Sequence, residues 1–85
     1  MITNEELKKL GFKKLMPITN HKNVWAIKKK DEDFLYLFLN GSVAICSDYD
    51  TILKGTSYTI RNFKTFAWNI KEYNNLEKLI KIVSN

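Results

Sequence analysis

The chain has one cysteine, one histidine, one proline and one arginine, and each scarcity removes a class of answers. With Cys46 alone there is no intrachain disulfide, which suits a reducing compartment. His21 alone excludes a histidine-based metal cluster and leaves a single candidate general base, in a polar stretch that reads as a loop. The three glycines, Gly11, Gly41 and Gly55, stand apart, so no glycine-rich phosphate loop exists. Long hydrophobic runs are missing too: the longest near-continuous one, Phe34 to Leu39, falls far short of the ~20 residues of a membrane-spanning helix. The opening Met-Ile-Thr-Asn-Glu-Glu lacks the charged and apolar regions of a secretory signal, so the expected location is the cytoplasm, with no membrane partner.

What is present fits one folded domain over residues 1–85. Hydrophobic residues make up 45% and aromatics 13%, and a chain this short buries roughly 60–65% of its unfolded surface. The net charge of +5 favours acidic partners. Its composition tempers that: every cation except Arg61 is lysine, whereas phosphate and base recognition leans on arginine's planar fork. The abundance of Asn and Ile beside Lys fits an AT-rich genome.

The organising stretch is Phe34 to Ser47. Two apolar runs meet at Asn40-Gly41, the pair that most cheaply supplies the positive φ angles of a type I′ turn, so a β-hairpin is predicted. Val24 to Lys28 reads as a preceding strand, joined through the charged turn Lys29 to Asp33. Centring that turn on Asp31-Glu32 sets Trp25 opposite Phe38 and Ile27 opposite Tyr36; across Asn-Gly, Phe38 faces Val43 and Tyr36 faces Ile45. One sheet face then carries Trp25, Ile27, Phe34, Tyr36, Phe38, Val43 and Ile45. The other carries Val24, Ala26, Leu35, Leu37, Leu39, Ala44 and Cys46. Both are apolar, which a sheet with one solvated face is not.

Helices are written at both ends. Thr3 and Glu6 form a capping box, Ile2 and Leu7 stand as a hydrophobic staple, and Gly11 is placed to end the helix in the left-handed region. Near the C-terminus Asn74 reads as N-cap with Glu77 three residues on, followed by the stripe Leu76, Leu79, Ile80 and Val83. Between, residues 12–23 read as an irregular edge segment with Pro17, then a loop. Asp48 to Thr51 reads as a turn. Ser57 to Ile70 is long and β-rich, with a bend or bulge predicted near Asn62 to Lys64, and strict alternation along it buries Phe66 and Trp68 with Ile70. The predicted fold is α+β: an antiparallel meander of three to five strands flanked by short N- and C-terminal helices, in the order α-β-β-β-(β)-α. The helices cover one face; the other requires a fourth strand region or another molecule, a host protein or a second copy of the chain.

Chemistry is harder to find. A Cys46, His21 and Asp48 or Asp50 set would place the thiol in an apolar strand, where it behaves as a small hydrophobe. Asp31, Glu32 and Asp33, like Asp48 and Asp50, lack calcium-loop spacing and suit hairpin ends. No catalytic residue, metal or cofactor is expected, and the chain is not expected to be an enzyme. Candidate binding residues are the run Lys28, Lys29 and Lys30 together with Arg61, Phe63, Lys64 and Trp68, which mix cations with aromatics as a nucleic-acid surface does.

The opening Thr-Asn-Glu-Glu-Leu-Lys-Lys-Leu-Gly-Phe, the central hairpin and the closing segment Trp68 to Val83 resemble the small orphan proteins encoded by bacteriophages and prophages of AT-rich hosts. The resemblance implies a protein that binds and blocks a host factor, anti-CRISPR and other anti-defence inhibitors included. It transfers no functional residue, and a basic chain departs from the acidic nucleic-acid mimics among such inhibitors.

Overall fold

The computed structural model describes residues 1–15, 23–29, 32–52, 54 and 57–83, the side chains of residues 82 and 83 excepted. A helix α1 (Asn4–Leu10) leads into strands β1 (Lys13–Lys14), β2 (Val24–Lys28), β3 (Leu35–Leu39), β4 (Ser42–Ile52) and β5 (Ser57–Ala67), and helix α2 (Tyr73–Val83) closes the chain. The strands form one antiparallel sheet in sequence order, a five-stranded meander.

Local chemistry sets the frame. The Thr3 hydroxyl accepts the Glu6 N–H at 3.2 Å while the Glu6 carboxylate accepts the Thr3 N–H at 2.9 Å, so both orphan donors at the start of α1 are satisfied. Gly11, at φ 102°, ends the helix with its N–H directed at the Leu7 and Lys8 carbonyls. A side chain there would also press on Ile27, whose Cδ1 lies 3.1 Å from where a Cβ would stand. Asn40 and Gly41 both have positive φ, 47° and 96°, as a type I′ turn requires. The register is the one the turn implies: Trp25 pairs with Phe38, Ile27 with Tyr36, Phe38 with Val43 and Tyr36 with Ile45.

The helices cover most of the aromatic face. Leu7 and Phe12 from the α1 side, and Leu76 and Ile80 from α2, pack with Trp25, Tyr36, Phe38 and Val43 into one buried cluster. The α2 boundary differs from the sequence expectation: Tyr73 is the first helical residue, and the Glu72 carbonyl accepts the Asn75 and Leu76 N–H groups at 3.1 and 3.2 Å. Asn74 is therefore inside the helix and not its cap. The Glu77 carboxylate is engaged by the Tyr73 hydroxyl at 3.3 Å and the Lys81 ammonium at 3.9 Å.

The aliphatic face is closed by the sheet itself. Asp48 to Thr51 is not a turn; β4 runs straight through it to Ile52. Pairing with β5 slips between Ile45 and Asp48, whose partners are Lys64 and Asn62, so the irregularity falls where a bend or bulge was predicted. The slip shifts the alternation by one residue. Beyond it Tyr49, Tyr58 and Ile60 continue the aliphatic face, and Asp48, Asp50 and Arg61 take the outer side. The sheet curls so that Tyr58, with Tyr49, Ile60 and Phe63 beside it, packs with Leu35, Leu37, Ala44 and Cys46; among the described residues Leu15 completes this second cluster. Leu35, Leu37 and Ala44 are wholly buried. The surface proposed to receive a host protein or a second copy is thus covered within the chain.

Candidate functional site

Beyond the two covered faces lie the sheet edges. One edge, β1, is two residues long, and both are exposed lysines. The other, β5, is interrupted by its pairing slips and carries exposed Arg61, Asn62 and Lys64. Short, bulged, lysine-bearing edges resist pairing with another strand.

Among the described residues a groove of about 600 Å³ lies open at the Asn40–Gly41 end of the sheet, on its helix-covered side. Leu7, Trp25 and Phe38 form an apolar floor. Met1, Ile2 and Asn4 supply one wall; Asn23, Asn40 and Ser42 line the sheet end; and Trp68, Asn69, Ile70 and Lys71 make the opposite wall.

That opposite wall explains why Trp68 is exposed. Ala67 pairs with Val43 but Thr65 pairs with Ala44, so Phe66 is an extra residue without a partner and turns outward, 38% exposed. The strand then ends at Ala67, and Asn69 in the left-handed region (φ 59°) reverses the chain. The Ile70 N–H donates to the Gly41 carbonyl at 2.7 Å, pinning the segment across the hairpin turn while the Ile70 side chain returns to the core. Trp68 is left on the rim, 65% exposed. The burial of Phe66 and Trp68 implied by strict alternation is therefore wrong, because alternation does not survive a bulge and a chain reversal.

The sequence-predicted binding residues are not brought together. Lys28 pairs with Leu35, at the end of the sheet away from Trp68, with Lys29 just beyond it. Lys30 lies outside the described residues. Arg61 is occupied: its Nε donates to Asp48 at 2.7 Å and its Nη1 to Asp50, which holds the guanidinium more firmly protonated. Phe63 packs against the aliphatic cluster, and Lys64 is exposed opposite Ile45. Of the set, only Trp68 lines the groove. Sequence reasoning missed the asparagines; the one available signal was Asn40, already marked as a turn residue.

The Cys46 thiol is buried and donates to the Asn62 carbonyl at 3.1 Å and the Asp48 carbonyl at 3.5 Å, fastening the bulge. Burial pushes its pKa up, the reverse of what activates a nucleophilic thiol. His21 lies outside the described residues. Among the described residues no three His, Cys, Asp or Glu side chains converge as metal ligands, and no helix is long and apolar enough to cross a membrane.

The fold and groove define a small α+β protein with a five-stranded meander and an open cleft lined in part by asparagines. Comparison with family models, curated proteins and solved structures gives no match.

Proposed function

We propose that the protein is a small non-enzymatic binding module that docks onto another protein through the Trp68 groove. The observation that carries this reading is Trp68 itself: a large aromatic side chain, 65% exposed, beside an apolar floor, on a chain whose sheet faces are both covered. Tryptophan beside a desolvated pocket is the residue type that most often dominates binding energy at protein interfaces. The likeness to small phage-encoded proteins makes the partner a host protein and the outcome its inhibition, with anti-CRISPR or other anti-defence action as the form.

The test is co-precipitation from host lysate with the wild-type chain, Trp68→Ala and the double variant Lys28→Ala, Lys29→Ala. Wild type and the lysine variant retain the same protein, and Trp68→Ala loses it while keeping its circular dichroism. Equal retention by all three chains removes the groove from the function.

The second reading, nucleic-acid binding, gains support from the exposure of Phe66 and Trp68 with Lys64 and Lys71 nearby in sequence. It requires single-stranded oligonucleotides to bind with an affinity that falls steeply with salt. No mobility shift at low salt disposes of it.

A further inference from the structure

The groove's lining points to the chemistry of its occupant, an inference that rests on the groove being the docking site. We propose that it takes an extended peptide segment whose apolar side chain enters the floor and whose neighbouring residues carry carboxylates.

The floor of Leu7, Trp25 and Phe38 is apolar, so it suits an apolar side chain and penalises a polar one. Exposed Asn4, Asn23, Asn40 and Asn69 also line the groove, from the start of α1, the approach to β2, the hairpin turn and the chain reversal after β5. Each amide offers both a donor and an acceptor, the pair a peptide unit presents in return. None of the four is engaged by another described residue. Four elements far apart in sequence therefore deliver the same uncharged group to one lining, and that lining satisfies an extended backbone without asking it for charge.

The charge of the lining selects within peptides. It contains no carboxylate side chain and one cationic side chain, Lys71, which makes no ion pair with a described residue; Met1, which carries the N-terminal ammonium, is the other source of positive charge. On a chain of net charge +5, a lining of this kind attracts an acidic segment and repels a basic one. A nucleic-acid strand fits less well, because it presents a phosphate at every nucleotide and its affinity comes from several cations at once. Here there are only Lys71 and the N-terminal ammonium.

The experiment uses the full chain labelled with ¹⁵N. Three probes are titrated: an acetylated, amidated pentapeptide with a leucine-phenylalanine pair flanked by aspartates, its counterpart with lysines replacing the aspartates, and an oligo-deoxythymidine. The acidic peptide shifts the Trp68 indole and the four asparagine side-chain signals at about tenfold lower concentration than the basic one, a difference of about 1.4 kcal/mol. Lys71→Glu reverses that preference, and Trp68→Ala abolishes both responses. Equal response to the two peptides, preference for the basic one, or response to the oligonucleotide alone overturns the proposal. If neither peptide shifts the groove while host-protein capture still depends on Trp68, the acidic-peptide assignment fails and the docking reading stands. If the acidic peptide shifts only signals outside the groove, both fall.

Discussion

On one side of β3, Tyr36 and Phe38 are covered by two helices; on the other, Leu35 and Leu37 are covered by the curled continuation of their own sheet. Both sides reach nearly complete burial, but the covers differ in kind. A helix is a separate amphipathic element that docks. The curl exists only because β4 and β5 slip past one another, which turns Tyr49, Tyr58 and Ile60 inward and leaves Asp48, Asp50 and Arg61 in water. A helical cover can be loosened without undoing the sheet, whereas loosening the curl disturbs the strands themselves.

Truncation at the centre of each side tests this contrast most severely. Leu35→Ala and Leu76→Ala both empty wholly buried positions and each costs about 2–5 kcal/mol, a large share of the roughly 5–15 kcal/mol that holds a domain together. Hydrogen exchange separates them: Leu76→Ala lowers protection in α2 while β2 and β3 hold theirs, and Leu35→Ala lowers protection across the sheet. Identical exchange patterns would erase the distinction.

Cys46→Ala comes next, at about 1–3 kcal/mol by urea denaturation, from lost packing and from the Asn62 carbonyl losing its thiol donor. In the native wild type the thiol stays unreactive towards an aromatic disulfide at mild alkaline pH until the chain unfolds. Prompt labelling would show that the bulge is open.

Alkaline pH tests both sides by titration, Cys46 and Tyr49 on the curled side and Tyr36 under the helices. Burial raises the pKa of Cys46 from 9.0, and of Tyr49 and Tyr36 from 10.0, with the Glu32 carboxylate adding to the effect on Tyr36. A folded pKa above the unfolded one contributes stability that is full below the unfolded value and is lost as pH rises through the folded value. The urea midpoint therefore holds to about pH 9 and declines above it, and Cys46→Ala removes the earliest part of the decline.

The smallest effects are at the surface. Thr3→Ala removes the α1 cap at about 1 kcal/mol. Arg61→Ala releases Asp48 and Asp50 with a smaller loss still, because all three side chains are about half exposed or more, and the difference shrinks in high salt. A larger Arg61 effect would make the outer clasp, and not the buried tyrosines, the cause of the curl.

The same contrast accounts for what the sequence reveals. The meander, its register and the α1 cap are written in short-range chemistry: Asn40-Gly41 fixes the turn, Thr3 and Glu6 fix the cap, and alternation propagates the rest. The curl is not written there. Asp48-Tyr49-Asp50 resembles a turn by composition and is in fact the polar-apolar-polar pattern of a half-buried strand, readable only once a partner strand is known. Phe66 and Trp68 were misplaced for the same reason: Phe66 is the unpaired residue itself, Trp68 lies just past the last strand pair, and the reversal at Asn69 then returns Ile70 to the core. The groove inherits this: its rim is assembled from four separated elements, and only Trp68 drew notice as a binding residue.

The strand order has a consequence for how fast the molecule assembles. Each strand pairs with its neighbour in the chain, so every step of the sheet closes a short loop at small entropic cost. The packing of α1 with α2 joins the two ends of the chain and closes the longest loop of all. Side chains of α2 therefore govern chiefly the rate at which the native state opens, and those of the central hairpin the rate at which it forms.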